Sequence, residues 1–216
     1  MTDLALRARL VATARRMNAL GINQGSSGNV SARVEGGFLV TPSGLPYDEL
    51  QPGDVVHVGM DGHARGHREP SSEWRFHRDI YATRPEAGAV VHTHSAFATT
   101  LACLGRPIPA FHYEVAFAGG NDIRCAPYRS FGTQGLSDAA LEALRGRRAC
   151  LLAHHGVIAF GADLDDALRL ADKVEALARL YWQALQVAEP TVLDDAEMAL
   201  IVERFRHYGP RGGNSP

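Results

Sequence analysis

The sequence carries little excess charge of either sign. Its 22 Lys and Arg stand against 24 Asp and Glu, a formal net charge of -2 at pH 7. That leaves no basic field for nucleic acid and no polybasic patch for a membrane surface. Long apolar runs are missing too. No stretch approaches the roughly 18 apolar residues of a membrane-spanning helix. Charges at Asp3, Arg7, Arg9, Arg15 and Arg16 interrupt the N-terminus where a signal peptide would need an apolar run. Cysteine is scarce: Cys103, Cys125 and Cys150 are odd in number and far apart. This excludes a disulfide framework and predicts buried free thiols in a reducing, cytoplasmic compartment. No internal repeat and no linker divides the chain.

The chain has 216 residues, 45% of them hydrophobic and 21% charged, enough for one folded domain with a sizeable core. Residues 1–209 are expected to form it, with 210–216 a flexible Gly-rich tail. Leu6, Leu10, Val11, Ala14 and Met17 recur at helical spacing over 4–20. Short strand patterns cover 30–34, 37–41, 55–59, 89–94, 123–126, 149–154 and 157–160. Helices are predicted to start at the hydroxyls of Ser71–Ser72, Ser95 and Ser137. The longest spans 165–187, and a last one covers 195–207. The fold class is α/β, one domain with mostly hairpin-like strands in the middle and helices at both ends.

His92 and His94 lie two apart on a predicted strand, so both imidazoles leave the same face. Two such rings can share one divalent ion. The pair His154-His155 before Gly156, at another strand end, offers the third donor, and periodicity leaves open which of the two points inward. Three His with an open position describe a catalytic rather than a structural zinc site, able to polarise a carbonyl. Gly25–Asn29, Ser43-Gly44 and Ser71-Ser72 are polar turns whose N–H groups and hydroxyls suit a phosphate. Taken alone, the Gly/Ser run 25–29 reads better as a flexible surface turn, and each of the three signals is weak singly. Glu73, in the first turn of its helix, either complements the helix dipole or serves as a general base beside the metal.

As a set these residues resemble one family. Gly25-Ser-Ser-Gly-Asn29, Thr41-Pro-Ser-Gly44, Pro70-Ser-Ser-Glu73, Val91-His-Thr-His-Ser95 and His154-His-Gly156 stand in the order found in class II aldolases of the fuculose-phosphate aldolase type. Asn23-Gln24-Gly25, Ser71–His77 and His112-Tyr113 add to the likeness, which spans nearly the whole chain. The resemblance implies a central, mostly antiparallel sheet flanked by helices, and a fourfold homotetramer with active sites between subunits. It also implies one Zn2+ per subunit on His92, His94 and His155, approached by Glu73 before substrate binds. Ser26, Asn29, Ser43, Gly44, Ser71 and Ser72 match the phosphate-binding positions, and Glu73 the acid–base residue. Tyr113 matches a tyrosine supplied by a neighbouring subunit, and Tyr208 one that closes over the site.

The implied reaction is retro-aldol cleavage of a ketose 1-phosphate, such as L-fuculose 1-phosphate or a 5-deoxy or methylthio sugar phosphate. The products are dihydroxyacetone phosphate and a small aldehyde. Ser26 stands where threonine is common and keeps the hydroxyl. Glu114 stands where methionine is common, an added carboxylate expected to bear on which aldehyde fits. The same family holds ribulose-phosphate 4-epimerases, which carry Asp where this chain has Glu73, and methylthioribulose-phosphate dehydratases. A zinc-binding module without activity would leave the open coordination position without a use.

Overall fold

A computed structural model describes residues 3–206; Tyr208 and the tail 210–216 lie outside the described residues. Strands β1 (Asn29–Val34), β2 (Gly37–Val40), β3 (Val56–Gly59), β4 (Ala64–Arg65), β5 (Ala89–Thr93), β6 (Cys125–Ala126), β7 (Ala149–Leu152) and β8 (Gly156–Gly161) form one sheet. Its order is β4-β3-β2-β1-β5-β8-β7-β6. Every pairing is antiparallel except β6 with β7. Around the sheet lie helices α1 (Asp3–Ala19), α2 (Trp74–Thr83), α3 (Ala96–Cys103), α4 (Gln134–Ala143), α5 (Leu164–Leu185) and α6 (Asp195–Arg206).

Helices cover both sheet faces, so the central strands are apolar on both sides rather than alternating. On β5, Ala89 and Val91 join the core beneath α1, α3 and α5. Val90 between them faces the second core, shared with Phe76 and Ile80 of α2 and Leu136 and Ala140 of α4. The same alternation places Val157 and Ala159 of β8 in the first core and Ile158 and Phe160 in the second. Helix α5 buries Leu168, Ala171, Val174, Leu177, Ala178 and Tyr181 along one side, the stripe its periodicity predicts.

Several helix starts differ from expectation. Thr133, not Ser137, caps α4 by accepting the Leu136 N–H, because the Ser137 hydroxyl is drawn to Asp79 on α2 at 2.6 Å. Ser95 makes no cap bond. Glu175 of α5 takes its place, accepting the Phe97 and Ala98 N–H groups at 2.8 and 2.9 Å. Helix α2 begins only at Trp74, with Glu73 as its N-cap and no side-chain cap. The three thiols are free, but only Cys150 is buried; Cys125 is half-buried and Cys103 is exposed, since α3 turns Ala98, Leu101 and Ala102 to the core. No helix among the described residues is long and apolar enough to cross a membrane.

Candidate metal centre

Sheet register assembles the centre. Asn29, the first residue of β1, pairs with His92 of β5, while Thr93 pairs with Val157 of β8. The turn 153–155, just before β8, is thereby held against the histidine pair. His154 adopts the left-handed backbone conformation (φ 57°), which few residues other than Gly or Asn take readily. That turn leaves His154 exposed and sends His155 inward. Gly156 makes the approach possible: a Cβ there would meet the Thr93 carbonyl oxygen at 2.3 Å and His94 Cδ2 at 2.9 Å.

Three imidazoles result, with centroids 4.8, 4.8 and 5.0 Å apart and planes crossing at 73–76°. Glu73 completes the group, and one donor atom from each of the four residues lies within 4.8 Å of the others. Nε2 of His92 is 3.0 Å from Nε2 of His94. The Glu73 oxygens stand 3.2 Å from Nε2 of His92 and 3.2 Å from Nε2 of His155. His92 Nδ1 lies 2.9 Å from the Val157 carbonyl oxygen, which can only accept. Nδ1 therefore carries the proton, and Nε2 keeps a bare lone pair directed at the cluster, the tautomer a metal ligand needs. Glu73 Oε1, although buried, makes no hydrogen bond: its contact with His155 falls outside hydrogen-bond geometry. Converging lone pairs and an unpaired buried carboxylate oxygen fit a divalent cation.

The electrostatics agree. Burial pushes the Glu73 carboxyl up, but in the metal-free protein the charge and hydrogen bonding of His92 and His155, when these rings take up a proton, outweigh this and hold it below the usual carboxylate range. His94 is lowered to about 4, by burial and then by His92 and His155. His77, wholly buried behind the centre, is lowered to about 3, chiefly by burial. In an unfolded chain both histidines titrate near 6.5. Between that pH and about 4 the unfolded state binds more protons than the folded one. Stability of the metal-free protein should therefore fall on acidification through this window, by up to about 1.4 kcal/mol per pH unit per histidine. Urea midpoints of chelator-treated protein should drop from neutral pH to about pH 5, with a shallower slope in His77→Gln. Equal midpoints across that range would contradict the assignment.

The anion-friendly turns come to the same end of the sheet. A bridge pairs Pro42 with Pro70, and Ser71 N–H donates to the Thr41 carbonyl at 3.0 Å and Ser43 N–H to that of Glu69 at 3.1 Å. Gly28 passes so close to β5 that a Cβ would meet the His92 carbonyl oxygen at 2.4 Å. Ser43, Gly44 and Ser72 are exposed, Ser26 is half-buried and Ser71 is buried. Asn29 is 3% exposed, and its amide is engaged with Glu73 rather than turned to solvent.

A cavity of about 300 Å³ opens over the cluster, lined by Ser27, Ser72, Glu73, His94 and His155. His154 also lines it, together with Tyr128, Arg129 and Phe131, three residues that sequence reasoning missed. Two exposed aromatics in the loop 127–133 were the available signal. Tyr113 is not among the residues lining this cavity. It is 49% exposed and stacks on His112 and Phe205. Glu114 accepts from Lys173, the one lysine in the sequence, at 3.0 Å to each oxygen, so its charge is balanced within the chain. No lysine lines the cavity, so the imine route of aldol chemistry has no amine there.

Residues 8–182 match the family model for the class II aldolase and adducin N-terminal domain. The chain is a class II aldolase. It is 57% identical over 206 residues to a 5-methylthioribulose-1-phosphate/5-deoxyribulose-1-phosphate aldolase of Rhodospirillum rubrum, covering 95% of this chain and 93% of that one. It is 48% identical to the L-fuculose phosphate aldolase of Escherichia coli O6:H1, over 95% and 96% of the two chains. A solved L-fuculose 1-phosphate aldolase superposes with a TM-score of 0.91 at 38% identity, covering 94% of this chain and 96% of that one. This class II aldolase is therefore a lyase acting on a small sugar phosphate.

Proposed function

We propose that this aldolase uses zinc to cleave a ketose 1-phosphate, most readily a 5-deoxy or 5-methylthio pentulose, into dihydroxyacetone phosphate and a small aldehyde. The convergence of Glu73, His92, His94 and His155 on one point carries the reading. The 57% identity to the R. rubrum enzyme favours the 5-deoxy and methylthio sugars over L-fuculose 1-phosphate. Three imidazoles suit zinc, and a divalent ion bound there would supply Lewis-acid polarisation of the substrate carbonyl.

The residues of the chain do the rest. Ser26, Asn29, Ser43, Gly44, Ser71 and Ser72 bind the phosphate through hydroxyls and backbone N–H groups. In the condensation direction the Glu73 carboxylate takes the proton from the carbon beside the carbonyl. On cleavage it returns that proton, releasing dihydroxyacetone phosphate. In the condensation direction Tyr113 of a neighbouring subunit in a fourfold homotetramer donates its phenol proton to the oxygen of the incoming aldehyde, and Tyr208 closes the site. Its exposure in the protomer leaves Tyr113 available for that contact. A reducing cytoplasm suits the free thiols.

Triose-phosphate release should be measured, with and without a chelator, from 5-deoxyribulose 1-phosphate, methylthioribulose 1-phosphate, L-fuculose 1-phosphate and L-ribulose 5-phosphate. Chelator-sensitive dihydroxyacetone phosphate from the 5-deoxy and methylthio sugars, with a higher kcat/KM than from L-fuculose 1-phosphate, is the expected result. Isomerised or dehydrated products without triose would overturn the aldol assignment. A preference for L-fuculose 1-phosphate would overturn the substrate choice alone.

A further inference from the structure

Behind Glu73 and Asn29 runs a file of buried polar groups, His77, Ser31 and Tyr81, that neither the metal centre nor the phosphate turns require. Asn29 Nδ2 donates to Glu73 Oε2 at 3.0 Å. Asn29 Oδ1 is 2.5 Å from His77 Nε2, His77 Nδ1 is 2.7 Å from Ser31 Oγ, and Ser31 Oγ is 2.7 Å from the Tyr81 hydroxyl. Ser31 and His77 are 0% exposed, Tyr81 2% and Asn29 3%. No solvent competes for these bonds.

Chemistry fixes every proton in the file. The Glu73 carboxylate accepts only, so Asn29 must turn its NH2 toward it and its carbonyl toward His77. That carbonyl also accepts only, so His77 carries its proton on Nε2. Nδ1 is then bare and accepts from Ser31, whose oxygen in turn accepts from Tyr81. All donors point one way, toward Glu73. The backbone makes this alignment possible. Glu73, His77 and Tyr81 recur every four residues along α2 from its N-cap, a rise of about 6 Å per step. Asn29 and Ser31 recur every two along β1, about 6.6 Å per step. Helix and strand periods match closely enough for the side chains to interleave.

We propose that His77 is a positioning residue for the aldol chemistry: held in one tautomer by Ser31 and Tyr81, it fixes the Asn29 amide, which aims the Glu73 carboxylate. The claim rests on the acid–base reading of Glu73. An unaimed carboxylate can still carry charge, but it meets the substrate carbon in the reactive geometry less often. The cost therefore falls on kcat, not on substrate binding.

The test compares His77→Phe, which fills the space but cannot donate, with His77→Gln, whose amide can reach Asn29, in the full-length metal-loaded enzyme. His77→Phe should lower kcat about tenfold or more with KM within about twofold. Its metal content and chelator resistance should match the wild type, and His77→Gln should recover most of the loss. On a Glu73→Gln background, His77→Phe should add less than about a further twofold. Should His77→Phe fail to fold, Ser31→Ala, which frees the tautomer, should lower kcat about threefold with metal retained. Wild-type kcat in the folded His77→Phe or the Ser31→Ala enzyme, beside an inactive Glu73→Gln, overturns the positioning role alone. Parallel loss of metal, stability and activity in both His77 variants also overturns it, in favour of simple scaffolding. Wild-type rates in Glu73→Gln overturn the acid–base reading on which it rests.

Discussion

Glu73→Gln should lower kcat by about 10²–10⁴-fold, the range expected when a positioned acid–base group is lost. Its metal should stay bound. The substitution is nearly isosteric at a site 5% exposed, so packing changes little. The Asn29 amide keeps an acceptor at the Oε2 position, and the imidazoles that meet at the cluster are untouched. What disappears is the anion that the histidines hold below the usual carboxylate range. Steady-state kinetics beside metal analysis of the same preparation would check this. A second readout is exchange of solvent deuterium into dihydroxyacetone phosphate, which asks only for proton transfer and no aldehyde. Normal exchange in Glu73→Gln would remove the residue from that step. Loss of metal together with activity would make Glu73 chiefly a ligand.

The other large effect separates two adjacent histidines. His155→Ala should lose stoichiometric metal, with activity falling to the level of chelator-treated wild type. His154→Asn, which tolerates the left-handed conformation, should keep the metal and fold normally. The contrast follows from the turn: His155 Nε2 faces Glu73 Oε1 at 3.2 Å, whereas His154 is exposed and meets Tyr128 edge-on at the cavity rim. Zinc added back to the chelated wild type should restore both activity and the thermal midpoint, because a ligand bound only to the folded state stabilises it by mass action. Metal retained in His155→Ala and lost in His154→Asn would reverse the assignment.

Much of the fold was legible locally. The stripes of α1 and α5 were read from their spacing to within a residue or two, since an amphipathic helix writes its buried face at a fixed period. Most strand positions followed from short apolar runs. The two-residue strand β4, the parallel pairing of β6 with β7, and the 3₁₀ turns at Pro52–Asp54 and Tyr113–Ala118 were not foreseen. Two-residue elements carry no period to detect. The capping of α3 by Glu175 and the capture of Ser137 by Asp79 were hidden for another reason: each partner lies far away in the chain. The file from Tyr81 to Glu73 was spelled out in two periods, four on α2 and two on β1, but only their packing reveals that they belong together.

The sequence by itself determined which donors exist and which of them share an element. His92 and His94 had to leave one face of β5, because strand side chains alternate. The apolar runs of β5, β7 and β8 had to be covered on both sides. Tertiary structure alone decided that these pieces meet. The β1–β5 register sets Asn29 opposite His92, and the β5–β8 register brings the His154–Gly156 turn to the same edge. The left-handed backbone at His154 then selects His155. Local periodicity fixes the direction of a side chain relative to its own element; its distance from a group some sixty residues away depends on strand pairing and on the hand of a single turn.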